Sequence, residues 1–225
     1  MTDPIKKLAE WKLVPVIAID SVDDVTPLAD ALQTAGLACA EITLRTDAAV
    51  DSIKRLAQRD HFLVGAGTVH SVEDAARVID AGAQFIVTPG LNPKTVTWCL
   101  DQKIPIIPGI STATDLELAI ELNLSIVKFF PAEACGGIKM LKALSGPYGS
   151  FQFVPTGGIS QQNLAGYLAL PCVLACGGSW MVQRDLIQQG QFDEITKRTR
   201  AAIKTAQSIS SVSYTHLTLP TILLV

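Results

Sequence analysis

The sequence predicts a (β/α)8 barrel, because eight short apolar, β-branched runs alternate with segments of helical periodicity and no shift in composition divides them. Runs this short and apolar are typical of strands buried in a parallel sheet, where a helix connects each strand to the next. The predicted strands are Leu13–Ile19, Cys39–Arg45, Phe62–Thr68, Phe85–Gly90, Ile104–Ile110, Ser125–Pro131, Gln152–Gly158 and Val173–Ser179.

The segments between these runs carry the signals that begin and end helices. Ser21, Ser71 and Thr112 stand at N-cap positions shortly before acidic residues, and Gly36 and Gly82 close helices before the next strand. An open, doubly wound sheet would need a GxGxxG sequence after the first strand, which is not present there. The predicted helices are Pro4–Lys12 as a cap on the barrel floor, then Val22–Ala35, Ala48–Arg59, Val72–Ala81, Pro93–Gln102, Ala113–Leu122, Ile138–Leu144, Gln161–Leu170 and Met181–Ser208.

Domain organisation and location follow from composition. With 225 residues, 48% hydrophobic and 17% charged, the chain predicts one globular domain over residues 1–208. Residues 209–225 end in an apolar stretch that has no further element to join, and we expect a non-native tail there. The net charge of −3 disfavours nucleic acid, no apolar run is long enough to span a membrane, and the first residues lack a signal-peptide core. We therefore expect a cytoplasmic protein.

The cysteines and histidines argue against a disulfide framework and a metal site. The five cysteines are scattered without a CxxC pair, which is typical of reduced thiols in a cytosolic enzyme. The three histidines form no HxH or HExxH spacing, so we expect no metal site built on histidines. We also expect no cofactor.

Lys128 is the residue that first points to chemistry, since it lies in the apolar run Ser125–Pro131. Burying an isolated ammonium is costly, and burial can lower a lysine's pKa until the amine becomes a nucleophile. A lysine at a strand end that reaches solvent, or one held in an ion pair, is the other interpretation of this segment.

Other polar side chains are predicted at the same end of the barrel, where the active sites of such barrels lie. Alternation puts Glu41, Thr43 and Arg45 on the inward face of the second strand, because Ile42 and Leu44 suit the helix-packed outside. Lys128 and Phe130 share a face of the sixth strand. Three further strands end in Gly65-Ala66-Gly67-Thr68, Thr88-Pro89-Gly90 and Thr156-Gly157-Gly158, and the glycines of the first leave space for a ligand or a bulky neighbour.

Two Gly-Gly pairs predict a phosphate site. Gly157-Gly158 follows the seventh strand and Gly177-Gly178-Ser179 follows the eighth. Loops at these two positions often bind phosphate through backbone N–H groups, which glycine allows an anion to approach closely.

Six segments in order then carry a resemblance: Glu41-Ile-Thr-Leu-Arg45-Thr46, Gly65-Ala-Gly-Thr68-Val69, Val87-Thr-Pro89-Gly90, Val127-Lys128-Phe-Phe-Pro-Ala-Glu133, Pro155-Thr156-Gly-Gly-Ile159 and Gly177-Gly-Ser179-Trp180. Together they resemble the 2-keto-3-deoxy-6-phosphogluconate (KDPG) aldolases, which often also act on 4-hydroxy-2-oxoglutarate (KHG). The resemblance runs from about Ile5 to Ala206. It implies a metal-free class I aldolase of the Entner-Doudoroff type, acting on a phosphorylated 2-keto acid, and a homotrimer.

The resemblance also implies roles for individual residues. Lys128 would form the Schiff base, Glu41 would be the general acid and base, and Thr156 would orient the reacting group. The substrate-binding residues would be Arg45 and Thr68 at the pyruvate carboxylate, Pro89 and Phe130 beside the substrate, and Gly157, Gly158 and Ser179 at the phosphate. Three alternatives stay open: an aldolase for the galactonate epimer, a non-covalent phosphate-binding isomerase, epimerase or synthase, and a sugar-phosphate-binding protein without activity.

Overall fold

The computed structural model describes residues 3–215, with side chains up to Ile209. Within this part, strands and helices alternate as the sequence predicts. The strands are β1 Leu13–Ile17, β2 Cys39–Thr43, β3 Leu63–Gly67, β4 Phe85–Val87, β5 Ile106–Ile107, β6 Gly109–Ile110, β7 Ile126–Phe129, β8 Gln152–Phe153 and β9 Cys176–Gly178.

The helices that cover the strands are α1 Pro4–Trp11, α2 Val25–Ala35, α3 Ala49–Ala57, α4 Val72–Asp80, α5 Pro93–Asp101, α6 Ala113–Glu121, α7 Gly137–Ser145, α8 Leu164–Leu168, α9 Arg184–Gln188 and α10 Phe192–Thr215. Capping fixes several of their first turns. The Ser71 hydroxyl accepts from Asp74 N, and Thr112 and Asp115 form a reciprocal capping box at α6. No helix among residues 3–215 is long and apolar enough to cross a membrane.

The strands form a closed parallel barrel. One sheet has the order β5-β4-β3-β2-β1-β9 and the other β6-β7-β8. Strands β5 and β6 are halves of one strand broken at Pro108, which lacks an N–H but whose carbonyl still accepts from Lys128 N at 2.8 Å. On the other side, parallel bridges join Phe153 to Val173 and Thr156 to Gly177. Counting β5 and β6 as one, the eight strands predicted from the sequence are confirmed as a barrel.

The hydrophobic core lies inside the barrel and between its strands and helices. Ile42 on β2 and Phe129 on β7 are fully buried, as expected for side chains under the helices. Three of the five cysteines, Cys39, Cys99 and Cys176, are buried free thiols. Leu8 of α1 is also fully buried, so this helix packs on the barrel.

Helix α1 lies at the floor, as predicted. Lys7 of this helix lines a groove of about 500 Å³ together with Leu63 at the start of β3 and with Gln84 and Ile104, which precede β4 and β5. This groove lies at the floor, the end of the barrel opposite the carboxyl ends of the strands.

The prediction of one continuous helix over Met181–Ser208 is wrong. Gly190 has φ +66° in the left-handed region and interrupts it, so α9 ends at Gln188 and α10 begins at Phe192. Helix α10 also continues past Ser208 to Thr215. The non-native tail expected over residues 209–225 stays a prediction, and residues 216–225 lie outside the described part of the chain.

Several other elements are shorter than predicted. Strand β2 ends at Thr43, so Arg45 lies in the following turn. Residues Val22–Asp24 form a 3-10 turn before α2, and α8 covers only Leu164–Leu168 of the segment predicted as helical.

Candidate active site

Lys128 and Glu41 face each other across the barrel interior. Lys128 lies on β7 and Glu41 on β2, the sixth and second of the eight barrel strands, which stand opposite each other. The Lys128 Nζ is 3.7 Å from Glu41 Oε1, and the two residues are only 5% and 2% exposed. The predicted inward direction of both side chains is confirmed, and it puts an amine and a carboxylate together out of bulk water.

The Glu41 carboxylate keeps unused hydrogen-bonding capacity. Its Oε1 is buried and accepts no hydrogen bond among the described residues, because 3.7 Å from Lys128 Nζ is too long for one. Room for the carboxylate comes from Gly67 on β3, where any Cβ would collide with Glu41 Oε1. Gly65, two residues earlier, similarly admits the Phe85 ring. These two glycines therefore leave space for bulky neighbours, as the sequence predicted.

Phe130 supplies an aromatic wall beside the amine. The Lys128 Nζ stands 4.8 Å from the centre of the Phe130 ring, a distance at which a ring face attracts a cation. Phe130 N donates to Ile110 O at 3.0 Å, which fixes the chain just after β7, and the peptide bond to Pro131 is cis.

Arg45 stands at the rim and is oriented by Thr43. The Arg45 Nε donates to Thr43 Oγ1 at 3.0 Å, and the Thr43 hydroxyl donates in turn to Ile17 O at 2.8 Å. Because Arg45 follows the end of β2, its placement depends on this bond more than on strand alternation. Among the described residues Arg45 forms no ion pair, so its two terminal nitrogens remain available to an anion.

Thr68 and Pro89 follow β3 and β4 at the same rim, and both are half-buried. Thr68 has φ +59°, a left-handed conformation that β-branched residues rarely adopt and that is often found at functional sites. Pro89 O packs against the Cα of Gly109, and Gly109 pairs with Lys128. One strand, the one that carries Gly109, therefore lies between Pro89 and the strand of Lys128.

Thr156 is a buried hydroxyl between β8 and β9. It pairs with Gly177, and its Oγ1 donates to Val154 O at 3.3 Å. A Cβ on Gly177 would collide with this hydroxyl, which explains the glycine.

The two predicted phosphate loops come after β8 and β9. Gly157 and Gly158 have φ +96° and +82°, a conformation in which successive N–H groups can converge on an anion. Ser179 is exposed immediately after β9, and Gly178 before it has the Trp180 ring packed on its Cα.

The sequence places Thr43 and Gly67 at this end of the barrel but gives Thr43 no role, and it does not assign Glu133 to the site at all. The Glu133 N donates to Gly157 O at 3.0 Å. Glu133 belongs to a segment that resembles the family, and this was the one signal for it. Among the described residues no group of three or more His, Cys, Asp or Glu could hold a metal ion.

Comparisons with known proteins agree with this geometry. Residues 5–198 match the family described as KDPG and KHG aldolase. The 2-dehydro-3-deoxy-phosphogluconate aldolase of Haemophilus influenzae is 52% identical over 200 residues, covering 88% of this chain and 94% of that protein.

Solved structures are also similar to the whole barrel. A KDPG aldolase from Legionella pneumophila, with pyruvate captured at low pH as a covalent carbinolamine intermediate, has a TM-score of 0.86 and 38% identity, covering 89% of this chain and 98% of that one. A KDPG aldolase from Zymomonas mobilis with 3-phosphoglycerate has a TM-score of 0.83 and 34% identity, covering 89% and 94%. With its closed barrel and buried amine–carboxylate pair, this chain belongs to the KDPG and KHG aldolase family.

Proposed function

We propose that this chain is a class I aldolase that reversibly cleaves 2-keto-3-deoxy-6-phosphogluconate to pyruvate and glyceraldehyde 3-phosphate, with Lys128 as the Schiff-base residue. The observation that carries the proposal is the buried Lys128 Nζ at 3.7 Å from a Glu41 oxygen that has no hydrogen-bond partner among the described residues. A nucleophile next to a base is the arrangement that covalent catalysis on a ketone requires.

The first step is addition of the Lys128 amine to the C2 ketone. The nitrogen forms a bond to C2, the carbonyl oxygen takes up a proton, and a carbinolamine results. Loss of water then gives the iminium. Glu41 is close enough to accept the proton that the amine loses on addition. It returns this proton to the C2 hydroxyl as water leaves, and is a carboxylate again for the next step. The covalent carbinolamine in the Legionella pneumophila relative supports this step.

The second step breaks the C3–C4 bond. Glu41 accepts the proton of the C4 hydroxyl, the aldehyde leaves, and the bonding electrons pass into the iminium to form an enamine. Protonated Glu41 then returns the proton to C3, and hydrolysis of the resulting iminium frees Lys128 and pyruvate. Thr156, whose hydroxyl is buried between β8 and β9, would orient the reacting group.

Different residues would bind the carboxylate and the phosphate of the substrate. Arg45, held by Thr43 with its terminal nitrogens unpaired, suits a carboxylate in a two-point interaction. Thr68, which follows the neighbouring strand β3, would bind the same carboxylate. Gly157, Gly158 and Ser179 would bind the phosphate through the loops after β8 and β9. Phe130, whose ring lies 4.8 Å from the Lys128 Nζ, and Pro89 would stand beside the substrate. The 3-phosphoglycerate found with the Zymomonas mobilis relative supports a phosphorylated ligand.

Three further statements belong to the same proposal. The family description includes KHG, so we expect cleavage of 4-hydroxy-2-oxoglutarate to pyruvate and glyoxylate. The resemblance favours a homotrimer, for which light scattering in solution is the direct measurement. It also favours an enzyme without a cofactor, and the cytoplasm is the location expected from the sequence.

Release of pyruvate from three substrates tests the proposed activity. The phosphorylated gluconate derivative, its galactonate epimer and 4-hydroxy-2-oxoglutarate are compared in an assay coupled to lactate dehydrogenase. The proposal expects the highest kcat/KM for the gluconate derivative. A preference for the epimer would assign the sister aldolase, and no pyruvate from any of the three would reject the aldolase assignment.

A further inference from the structure

The side chain of Glu133 forms the support under the phosphate loop. A Cβ on Gly158 would lie 2.6 Å from both Cβ and Cγ of Glu133, so the loop backbone rests on that aliphatic stem. The Glu133 N donates to Gly157 O at 3.0 Å. These contacts bring a carboxylate close to the loop that the proposed function assigns to the phosphate, where a negative charge is unfavourable.

Tyr167 holds this carboxylate in place. Its hydroxyl donates a hydrogen bond to Glu133 Oε1, and the tyrosine ring on α8 is fully buried. Gly137 admits the pair, because a Cβ there would lie 2.9 Å from Glu133 Oε1 and 3.1 Å from the Tyr167 hydroxyl. Burial and the bond to Glu133 both raise the pKa of Tyr167, so the hydroxyl stays protonated and able to donate at neutral pH.

From these contacts we infer that Tyr167 is a positioning residue for phosphorylated substrates: it restrains the Glu133 carboxylate on the side of Gly137 and α8, and so keeps its charge away from the phosphate. The inference rests on the proposed function, because it takes Gly157 and Gly158 as the phosphate site. Without the hydroxyl, the carboxylate can turn towards the loop and repel the anion. A substrate without phosphate would not sense this repulsion.

The test is the Tyr167→Phe variant, which keeps the buried ring and removes the hydroxyl. We measure kcat/KM for the phosphorylated gluconate derivative and for 4-hydroxy-2-oxoglutarate, and take their ratio. Borohydride trapping with pyruvate counts the folded active sites in each preparation. Since hydrogen bonds to charged groups are among the stronger ones, we expect the ratio to fall about five- to tenfold, mainly through KM for the phosphorylated substrate.

A second substitution distinguishes an effect of the Glu133 charge from a loss of packing at Tyr167. Glu133→Gln added to Tyr167→Phe removes the charge at nearly constant volume, and we expect the ratio to return to within about twofold of the unmodified enzyme. If Tyr167 only supports packing, the second substitution rescues nothing. That outcome, or equal losses for both substrates in Tyr167→Phe, overturns the inference.

The chain offers a matched control and a way to tell the two proposals apart. Tyr148→Phe removes another tyrosine–glutamate bond, from the Tyr148 hydroxyl to Glu117 Oε1 at 2.7 Å, in the segment before β8 at the floor. It should leave the ratio unchanged.

Ser179→Ala probes the phosphate site itself. If Ser179→Ala lowers the ratio and Tyr167→Phe does not, only the inference on Tyr167 fails. If neither lowers it, the phosphate assignment fails as well.

Discussion

The Lys128 Nζ and the Glu41 Oε1 lie 3.7 Å apart inside the barrel, on strands that stand opposite each other. This separation is longer than a hydrogen bond, so the two groups are neighbours without being locked together. A substrate hydroxyl or a water that lies beside the pair can therefore contact both groups. The arrangement suits a nucleophile and a base that must exchange protons with a third group during the reaction.

Gly67→Ala should disable catalysis with little effect on stability. The added Cβ would lie 2.1 Å from Glu41 Oε1, 2.8 Å from its Cδ and 2.9 Å from its Cγ, so the flexible Glu41 side chain must turn away from Cγ outward. We therefore expect a loss of unfolding free energy below the about 1–3 kcal/mol of rigid overpacking. A displaced general base should lower kcat by about 100-fold or more.

The control for this variant is Gly90→Ala, because a Cβ at Gly90 meets no atom within 4 Å. Kinetics and urea unfolding of both variants give the comparison. Full activity of Gly67→Ala would contradict a base at the observed position of Glu41.

Thr43→Val should weaken binding of the keto acid. Valine keeps the shape but removes the hydroxyl that orients Arg45 and bonds to Ile17 O. We expect KM to rise about tenfold, the size of effect from losing one hydrogen bond to a charged group, with kcat much less affected. Thr46→Val is the control, since its hydroxyl also bonds to a strand carbonyl, Ile19 O, without contacting Arg45. Equal KM values for the two variants would argue against orientation of Arg45 by Thr43.

Alkaline pH should destabilise the fold through its buried thiols. Burial raises the pKa of Cys99 from 9.0 to about 11, and it raises the pKa values of Cys39 and Cys176 as well. Above about pH 9 the unfolded chain loses these protons first, so the folded state binds more protons and the free energy of unfolding falls as pH rises.

Urea unfolding between about pH 8 and pH 11 measures this dependence. The Cys99→Ala variant should show a shallower decline than the unmodified protein, whatever its stability at neutral pH, because one of the raised pKa values is gone. Identical slopes for the two proteins would contradict a contribution from Cys99.

The sequence predicts the centre of the site well because it depends on local regularities. Strand alternation is enough to direct Glu41 and Lys128 inward, and the order of strands around a barrel then brings them face to face. Gly157 and Gly158 lie in a loop after β8, as strand order predicted, and their binding of a phosphate stays a prediction.

The rest of the site depends on contacts between distant segments or on local breaks in regularity. The Tyr167–Glu133 bond joins residues separated by 34 positions, and no periodicity reports such a pair. Strand β2 ends before Arg45, so alternation could not place that side chain. The break at Gly190 was visible as a glycine inside the predicted last helix, but its left-handed φ was not.

Trapping the covalent intermediate tests the central claim most directly. The protein is incubated with pyruvate, reduced with borohydride and digested, and the modified peptide is identified by mass spectrometry. The account predicts one stable pyruvate-derived adduct, on Lys128, and its loss in Lys128→Ala together with the aldolase activity. No adduct, an adduct on another lysine, or a fully active Lys128→Ala variant would contradict it.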